Sequence, residues 1–343
     1  VRVLITNLFV KNYSGSENVA ELLAEGLRRA GHQPVLFAPQ LGQQAQSMRQ
    51  RGFRVVDRVS QLTEPPDVIH AQHLTPCLIA MARFPDVPVV YSCHSSVYDV
   101  EAPLPHPQIR AVIAVDETCA AKCREVGVPS ERLSVILNAV DLERFKRRTP
   151  LPAKPKRALL LTKNRGHQDS VRAACADAGI DVDELGRGTS RFVPDIETVL
   201  GDYDLVFATA RMAIEAAATG CAVIVCDERG FAGLLTNDNL PLWRRRNLGI
   251  GILSQAVTVE NLADAISQYD AADACLVTET LRRSVGADIF VEQHVEVYHR
   301  AIASQKPQSD EIALATAYWT EELSVTTTER KWQSIVKELG IFG

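Results

Sequence analysis

Between Asp204 and Leu235 the hydrophobic period of the chain changes twice, in the run DLVFATARMAIEAAATGCAVIVCDERGFAGLL. Leu205 to Ala208 is a short apolar run of strand length. Met212 to Thr219 is alanine-rich with Glu215 inside it, and Cys221 to Cys226 is apolar again up to Asp227. Alanine favours helix, and a short apolar run bounded by turn residues suits a strand buried on both faces. Gly220 stands where the helix must stop, because glycine accepts the left-handed conformation of a helix end. The stretch therefore predicts a βαβ unit and a parallel sheet covered by helices.

Ligands of such sheets sit beyond the carboxyl ends of the strands, where helix N-termini offer free N–H groups and partial positive charge to phosphate. Arg211 and Glu215 fall there, four residues apart and so on one face of the predicted helix. A phosphate and a ribose diol suit this pair. An ordinary helix-surface ion pair has the same spacing.

The run Ile214-Glu215-Ala216, with Gly220 and Val223-Ile224-Val225, resembles the donor-nucleotide signature of GT-B glycosyltransferases, in particular the retaining, sucrose-synthase-like family four. In that family two glutamates enclose seven residues. The second, at Glu215, holds the ribose. The first contacts the donor sugar and is replaced here by Phe207, a departure that bears on the sugar side and leaves nucleotide binding untouched.

Length fits two domains of ordinary size: 343 residues. Composition is 46% hydrophobic and 23% charged with a formal net charge of −5, which argues against bulk nucleic-acid binding. Apolar runs are of strand length, none spans a membrane, and Val1 opens directly in a strand-like run without a basic leader. A cytoplasmic location is expected. Most of the eight cysteines lie in apolar runs, where free thiols pack as small hydrophobes, and disulfides are not expected. Cys119 and Cys123 lack further ligands at zinc spacing, and His70 and His73 lack the spacing and glutamate of a zinc-protease motif, so no metal site is expected.

Along the chain, residues 1–8 read as a strand, followed by a loop bearing Ser14-Gly15-Ser16-Glu17 and a helix from about Asn18 to Ala30. Ser14 and Glu17 have capping-box spacing. Gly15 and Glu17 also match the GGxE loop that opens many family-four enzymes near acceptor and donor sugar. Pro34 to Ala38 is the next strand; Gln43 to Gly52 reads as helix. Strand-like runs recur at Phe53 to Val56, Val68 to His70, Val87 to Ser92 and Ala111 to Val115. Histidines follow two of these, at His70 to His73 and at His94. A histidine in such a place is commonly structural, but His94 matches the family histidine that contacts donor sugar and diphosphate.

Helix is expected over Thr118 to Val126. The run Leu133 to Phe145 then resembles the family phrase VIPNGVDLERF, with Asn138, Val140, Asp141 and Phe145 coinciding. A proline-rich basic stretch follows, Lys146 to Arg157. The second domain opens with the strand Ala158 to Thr162, then Lys163-Asn164-Arg165-Gly166-His167 and a helix from about Asp169. Family-four enzymes carry an arginine and a lysine after this strand that grip the diphosphate. Lys163 and Arg165 are the candidates, and a helix-start surface charge accounts equally well for either. Asp202-Tyr203-Asp204 has the D-x-D pattern of metal-binding transferases but precedes its strand, at the end of the sheet away from ligands. Trp243 and Arg244 to Arg246 could meet an anionic membrane surface or a phosphorylated acceptor; a solvated basic turn is the plainer account. Helices are expected over Glu260 to Tyr269, Ala274 to Val285 and Phe290 to Ser304, with two amphipathic patterns at Ile312 to Leu323 and Glu329 to Leu339.

The expected fold is α/β of GT-B type, with two Rossmann-like domains facing across a cleft. Residues 1–147 form the acceptor domain, 148–155 a linker, 156–290 the nucleotide-sugar domain, and 291–343 helices packing back. The resemblance implies transfer of a sugar from a nucleotide-diphosphate donor, UDP-linked by expectation, to an acceptor hydroxyl, with retention and no required metal or cofactor. His94 and Glu17 are the catalytic candidates, and Gly15, Lys163, Arg165, Arg211 and Glu215 the donor-binding ones. The alternatives are a GT-B nucleotide-sugar epimerase and a non-catalytic sugar-nucleotide binder. The acceptor is expected at loops 9–16, 73–76 and 95–107, which carry no family-wide pattern.

Overall fold

Alternating apolar runs and helices build two units. A computed structural model describes all residues except 14, 98–100, 164, 187–188, 190, 192, 194 and 340–343, and side chains as far as residue 325. The first unit comprises Val1–Ala114, Cys119–Val135 and His294–Gly343; the second comprises Val115–Thr118 and Ile136–Gln293.

In chain order the first elements are β1 (Arg2–Thr6), β2 (Phe9–Val10), α1 (Gly15–Arg29), β3 (Gln33–Phe37), β4 (Gln40–Leu41), α2 (Gln43–Gln50), β5 (Arg54–Val56), β6 (Val68–Ala71), α3 (Leu74–Arg83), β7 (Val89–Cys93), β8 (Ile109–Ala114), α4 (Glu117–Glu125) and β9 (Leu133–Val135). Seven strands form one parallel sheet in the order β5-β3-β1-β6-β7-β8-β9. The order reverses between β1 and β6, so the ligand crevice of this doubly wound sheet lies at the ends of those two strands. Residues Val3, Leu4 and Ile5 of β1 and Val68 and Ile69 of β6 are almost fully buried, as expected of central strands covered on both faces.

Next come β10 (Arg157–Leu161), α5 (Gln168–Asp177), β11 (Asp181–Leu185), β12 (Leu205–Ala208), α6 (Ala210–Thr219), β13 (Ala222–Asp227) and β14 (Gly230–Leu234), then α7 (Leu240–Arg244), α8 (Val259–Ser267), α9 (Ala271–Arg282), α10 (Ala287–Ala303) and α11 (Ser309–Leu339). The sheet order is β11-β10-β12-β13-β14, parallel except for the last pair. Side chains alternate with period two. Leu205, Phe207, Leu160 and Ile224 pack with Val171 of α5 and Leu262 of α8, while Val206, Leu159 and Val223 pack with Ile214 of α6 and Val277 of α9. Gly220 ends α6 at φ 107°, the left-handed cap expected there.

Residues 136–145 supply Val140 and Phe145 to the core of the second unit, and the Val140 N–H donates to Val285 at 2.8 Å. From His294 onward the chain belongs to the first unit: the Tyr298 hydroxyl lies 2.9 Å from His70 Nδ1, and Thr316 lies 3.1 Å from His106. The two tail patterns form one helix, α11. None of the described helices is long and apolar enough to cross a membrane.

Candidate functional site

In the second unit a single residue, Thr209, separates β12 from α6. Its hydroxyl donates to Asp227 Oδ2 at 3.0 Å, which ties the helix start to the end of β13. Ala210 opens the helix at φ 52°, and its N–H donates to the Leu248 carbonyl at 2.8 Å. Asn247 and Leu248 themselves lie at φ 50°. Left-handed backbone costs an L residue roughly 1–2 kcal/mol and persists where the surroundings over-determine it. Here they do: Asn247 accepts from the Asn138 N–H at 3.1 Å and from Arg244, and donates to the Val115 carbonyl.

Arg244 also donates to the Asn138 carbonyl. Burial lowers its pKa to about 10. The first arginine of the basic run is therefore an internal brace and not part of a solvated turn. Its partners lie over a hundred residues upstream or at the strained Asn247, so the run of three arginines concealed it.

Arg211 and Glu215 project from the first turns of α6, Nη2 to Oε1 3.1 Å apart. Glu215 is only 4% exposed, which separates the pair from a surface ion bridge. Burial pushes the Glu215 carboxyl above its ordinary range, opposed by the positive charges of Arg211, Arg144 and Lys163 and reinforced by Glu197. Arg144, from the family-like phrase, bridges to Glu197 at 2.6 Å. Arg211, Glu215 and Lys163 thus share one electrostatic neighbourhood beyond the strand ends. Arg165 is exposed on the loop that carries Lys163.

Phe207 is fully buried among Leu160, Ile224 and Leu262. A carboxylate at this register would enter the core, so the short β12–α6 connection has no place for a sugar-facing side chain at that position. Sequence reasoning passed over His167. It caps α5 with 2% exposure, and both its ring nitrogens are buried without a hydrogen-bond partner among the described residues. Burial lowers its pKa against the pull of Asp227, Glu228 and Glu184. Asp204, from the D-x-D pattern, accepts from the Lys156 and Arg157 N–H groups at 2.9 and 3.2 Å and from Arg148 at 3.0 Å, a brace at the amino end of the sheet.

In the first unit Gly15 opens α1. Glu17 is 3% exposed, and its Oε1 accepts from the Lys11 and Asn12 N–H groups at 2.6 and 3.1 Å, holding the loop that precedes the helix. Ser14, the other half of the capping box, lies outside the described residues. His94 follows β7 in a different neighbourhood. Its Nε2 is buried without a partner among the described residues, and burial lowers its pKa while Glu101 pulls it up and His73 pushes it down.

His73 ends the β6 segment at φ 62°, ψ 143°, and its Nε2 lies 3.3 Å from Glu101 Oε1. At the reversal point beside it, Asn7 Nδ2 and both amide atoms of Gln72 are buried and unpartnered among the described residues. Buried polar atoms are almost always satisfied, so such a concentration at the strand ends marks a place for water or a polar ligand. Behind His94 stands His70, bonded to Tyr298 and 5.5 Å ring to ring from His294. Cys93 faces the Cys119 and Cys123 thiols, whose hydrogen bonds hold it below the usual thiol range. Among the described residues no group of three or more His, Cys, Asp or Glu side chains is arranged to hold a metal ion.

Residues 13–144 match the family model for Glycosyltransferase Family 4. No curated protein sequence matches the chain. Solved structures do. Anabaena HepE in complex with UDP and glucose is 15% identical with a TM-score of 0.65, over 87% of this chain and 99% of that one. Sucrose-phosphate synthase from Thermosynechococcus elongatus is 13% identical with a TM-score of 0.58, over 89% and 100%. A Listeria monocytogenes protein described as a UDP-N-acetylglucosamine 2-epimerase is 10% identical with a TM-score of 0.55, over 90% and 98%. Residues 13–144 are thus similar to family-four glycosyltransferases, and the fold is of GT-B type.

Proposed function

We propose that the protein transfers a sugar from a UDP-linked donor to an acceptor hydroxyl, with retention of configuration and without a required metal. One observation carries the reading: the buried Glu215 carboxylate, on the helix that follows a parallel strand, paired with Arg211 and under the charge of Arg144 and Lys163. An anion acceptor for a ribose diol and cations for a diphosphate then sit together, and the α6 N-terminus adds its partial positive charge. The likeness of fold to a protein solved with UDP and glucose supports the choice of donor.

In this reading the departing UDP is stabilised by Arg211, Lys163 and Arg165, and His94 is a catalytic residue. Gly15 and Glu17 shape the loop nearest the acceptor. The leaving phosphate itself helps to deprotonate the acceptor, so paired catalytic carboxylates are not required. Incubation with UDP-glucose, UDP-galactose and UDP-N-acetylglucosamine, with and without an acceptor panel, tests it. Acceptor-dependent UDP release with an unchanged anomer by NMR is expected; product of the opposite anomer rejects retention. Activity unaffected by EDTA is expected, and its loss would overturn metal independence.

A second reading, nucleotide-sugar epimerisation, is favoured by His94 Nε2 and Glu101 Oε2, buried and unpartnered among the described residues, which offer acid and base groups without an acceptor. Epimerised UDP-sugar formed in the absence of any acceptor would select it.

A further inference from the structure

We propose that Glu101, itself anchored by His73, is a positioning residue that sets the charge of His94. This rests on the reading of His94 as a catalytic residue, but the geometry is independent of any nucleotide.

His73 is engaged at both ring nitrogens. Its Nδ1 is the second, longer acceptor of the Leu8 N–H at 3.4 Å, after Asn7 Oδ1 at 2.9 Å, an arrangement that places the ring proton on Nε2, 3.3 Å from Glu101 Oε1. Both ring nitrogens are thereby occupied, and His73 holds Glu101 without a lone pair left for a substrate. The link joins the ends of β1 and β6 across the reversal point of the sheet. The φ of 62° that aims His73 there is one an L residue adopts only when held. Glu101 also accepts the backbone N–H of His94. What remains open is Glu101 Oε2 and His94 Nε2, both buried without partners among the described residues.

A carboxylate held beside a buried imidazole favours the imidazolium that burial disfavours. His94 therefore stays neutral near neutral pH yet can take up a proton or a polarised hydroxyl hydrogen with its charge offset by Glu101. The titratable groups facing it are His70 and His73 from β6 and the turn after it, Cys93 from β7, and Glu101; behind His70 stand His294 and Tyr298 of α10. His73 disfavours the proton on His94, while Glu101 and, more weakly, Cys93 favour it.

The test is nitrogen-15 NMR of the imidazoles in the full chain, with His94 assigned through His94→Gln. Glu101→Gln is expected to move the His94 titration midpoint down by about half a pH unit or more, and Glu101→Asp to restore part of the shift. A folded Glu101→Gln protein with an unmoved His94 midpoint overturns the proposal. Should Glu101→Gln fail to fold, the parent protein decides: a His73 ring protonated on Nε2 supports the anchoring, and one protonated on Nδ1 overturns it. None of these outcomes depends on sugar transfer, so a failure here and a failure of the glycosyltransferase reading remain distinct.

Discussion

Arg211 reaches Glu215 at 3.1 Å along one face of α6, yet the carboxylate it meets is 5% exposed while the guanidinium is 24% exposed. An exposed pair of this spacing contributes a few tenths of a kcal/mol. A buried carboxylate with one exposed-side partner keeps acceptor capacity for something else. Replacing Glu215 by alanine is expected to weaken UDP binding about tenfold or more, from the loss of charged hydrogen bonds worth roughly 1.5–3 kcal/mol. Calorimetry on the folded variant checks it, and unchanged affinity would remove Glu215 from the nucleotide site.

The same burial makes a prediction about stability. Glu215 has a folded pKa above its ordinary 4.5, so its contribution is fully present below that value and is lost as pH rises through the raised folded pKa. Glutamine does not titrate. Glu215→Gln should therefore gain thermal stability relative to the parent between pH 4 and pH 8, while binding UDP less tightly. Melting curves at the two pH values decide, and a difference that is flat or falls with pH rules out the argument.

Asp204 has the opposite sign. Burial works against its ionisation, but the Lys156 and Arg157 N–H groups and Arg148 outweigh it and hold the carboxyl below its ordinary 3.8. Its stabilisation is present above that value and lost as pH falls through the folded pKa. Asp204→Asn should cost about 3 kcal/mol at pH 7, since it leaves Arg148 buried without a counter-charge. The deficit should shrink below about pH 4. Urea unfolding at pH 7 and pH 3.5 measures both.

Tyr298 is fully buried, and its hydroxyl is the partner of His70 Nδ1. Tyr298→Phe strands that nitrogen and is expected to lower stability by roughly 1–3 kcal/mol. Tyr318→Phe, at a residue 54% exposed, is the control and should leave the unfolding midpoint in place.

What could be read in advance follows from locality. The β12–α6–β13 unit announces itself because alanine, a left-handed glycine and two apolar runs act within twenty-odd residues. β11 escapes such a reading because Asp181-Val182-Asp183-Glu184-Leu185 is an edge strand whose Asp183 and Glu184 are met by Arg157, Tyr203 and Arg172, partners that local spacing does not reveal. α3 hid behind Pro76, which a helix tolerates in its first turn. The tail reads as two helices because Ser324 to Thr328 is a run of poor helix formers, which one helix nonetheless absorbs. The places of Arg211 and Glu215 after β12, and of Lys163 after β10, were legible because each follows directly on an apolar run. His73 with Glu101, and Arg244 with Asn138, were not: their pairing is made by sheet topology and strained backbone, which no spacing encodes.

The passage of α10 from the second unit into the first has a consequence for the order of synthesis. The second unit is complete once Gln293 has been made, whereas the first still lacks His294 and Tyr298. His70 waits 228 residues for its hydroxyl partner. At about 5–20 residues per second on a ribosome that interval is roughly 10–45 s. Through it, a central strand of the earlier-made sheet carries an imidazole with no fixed partner, and the unit begun first closes after the unit begun second.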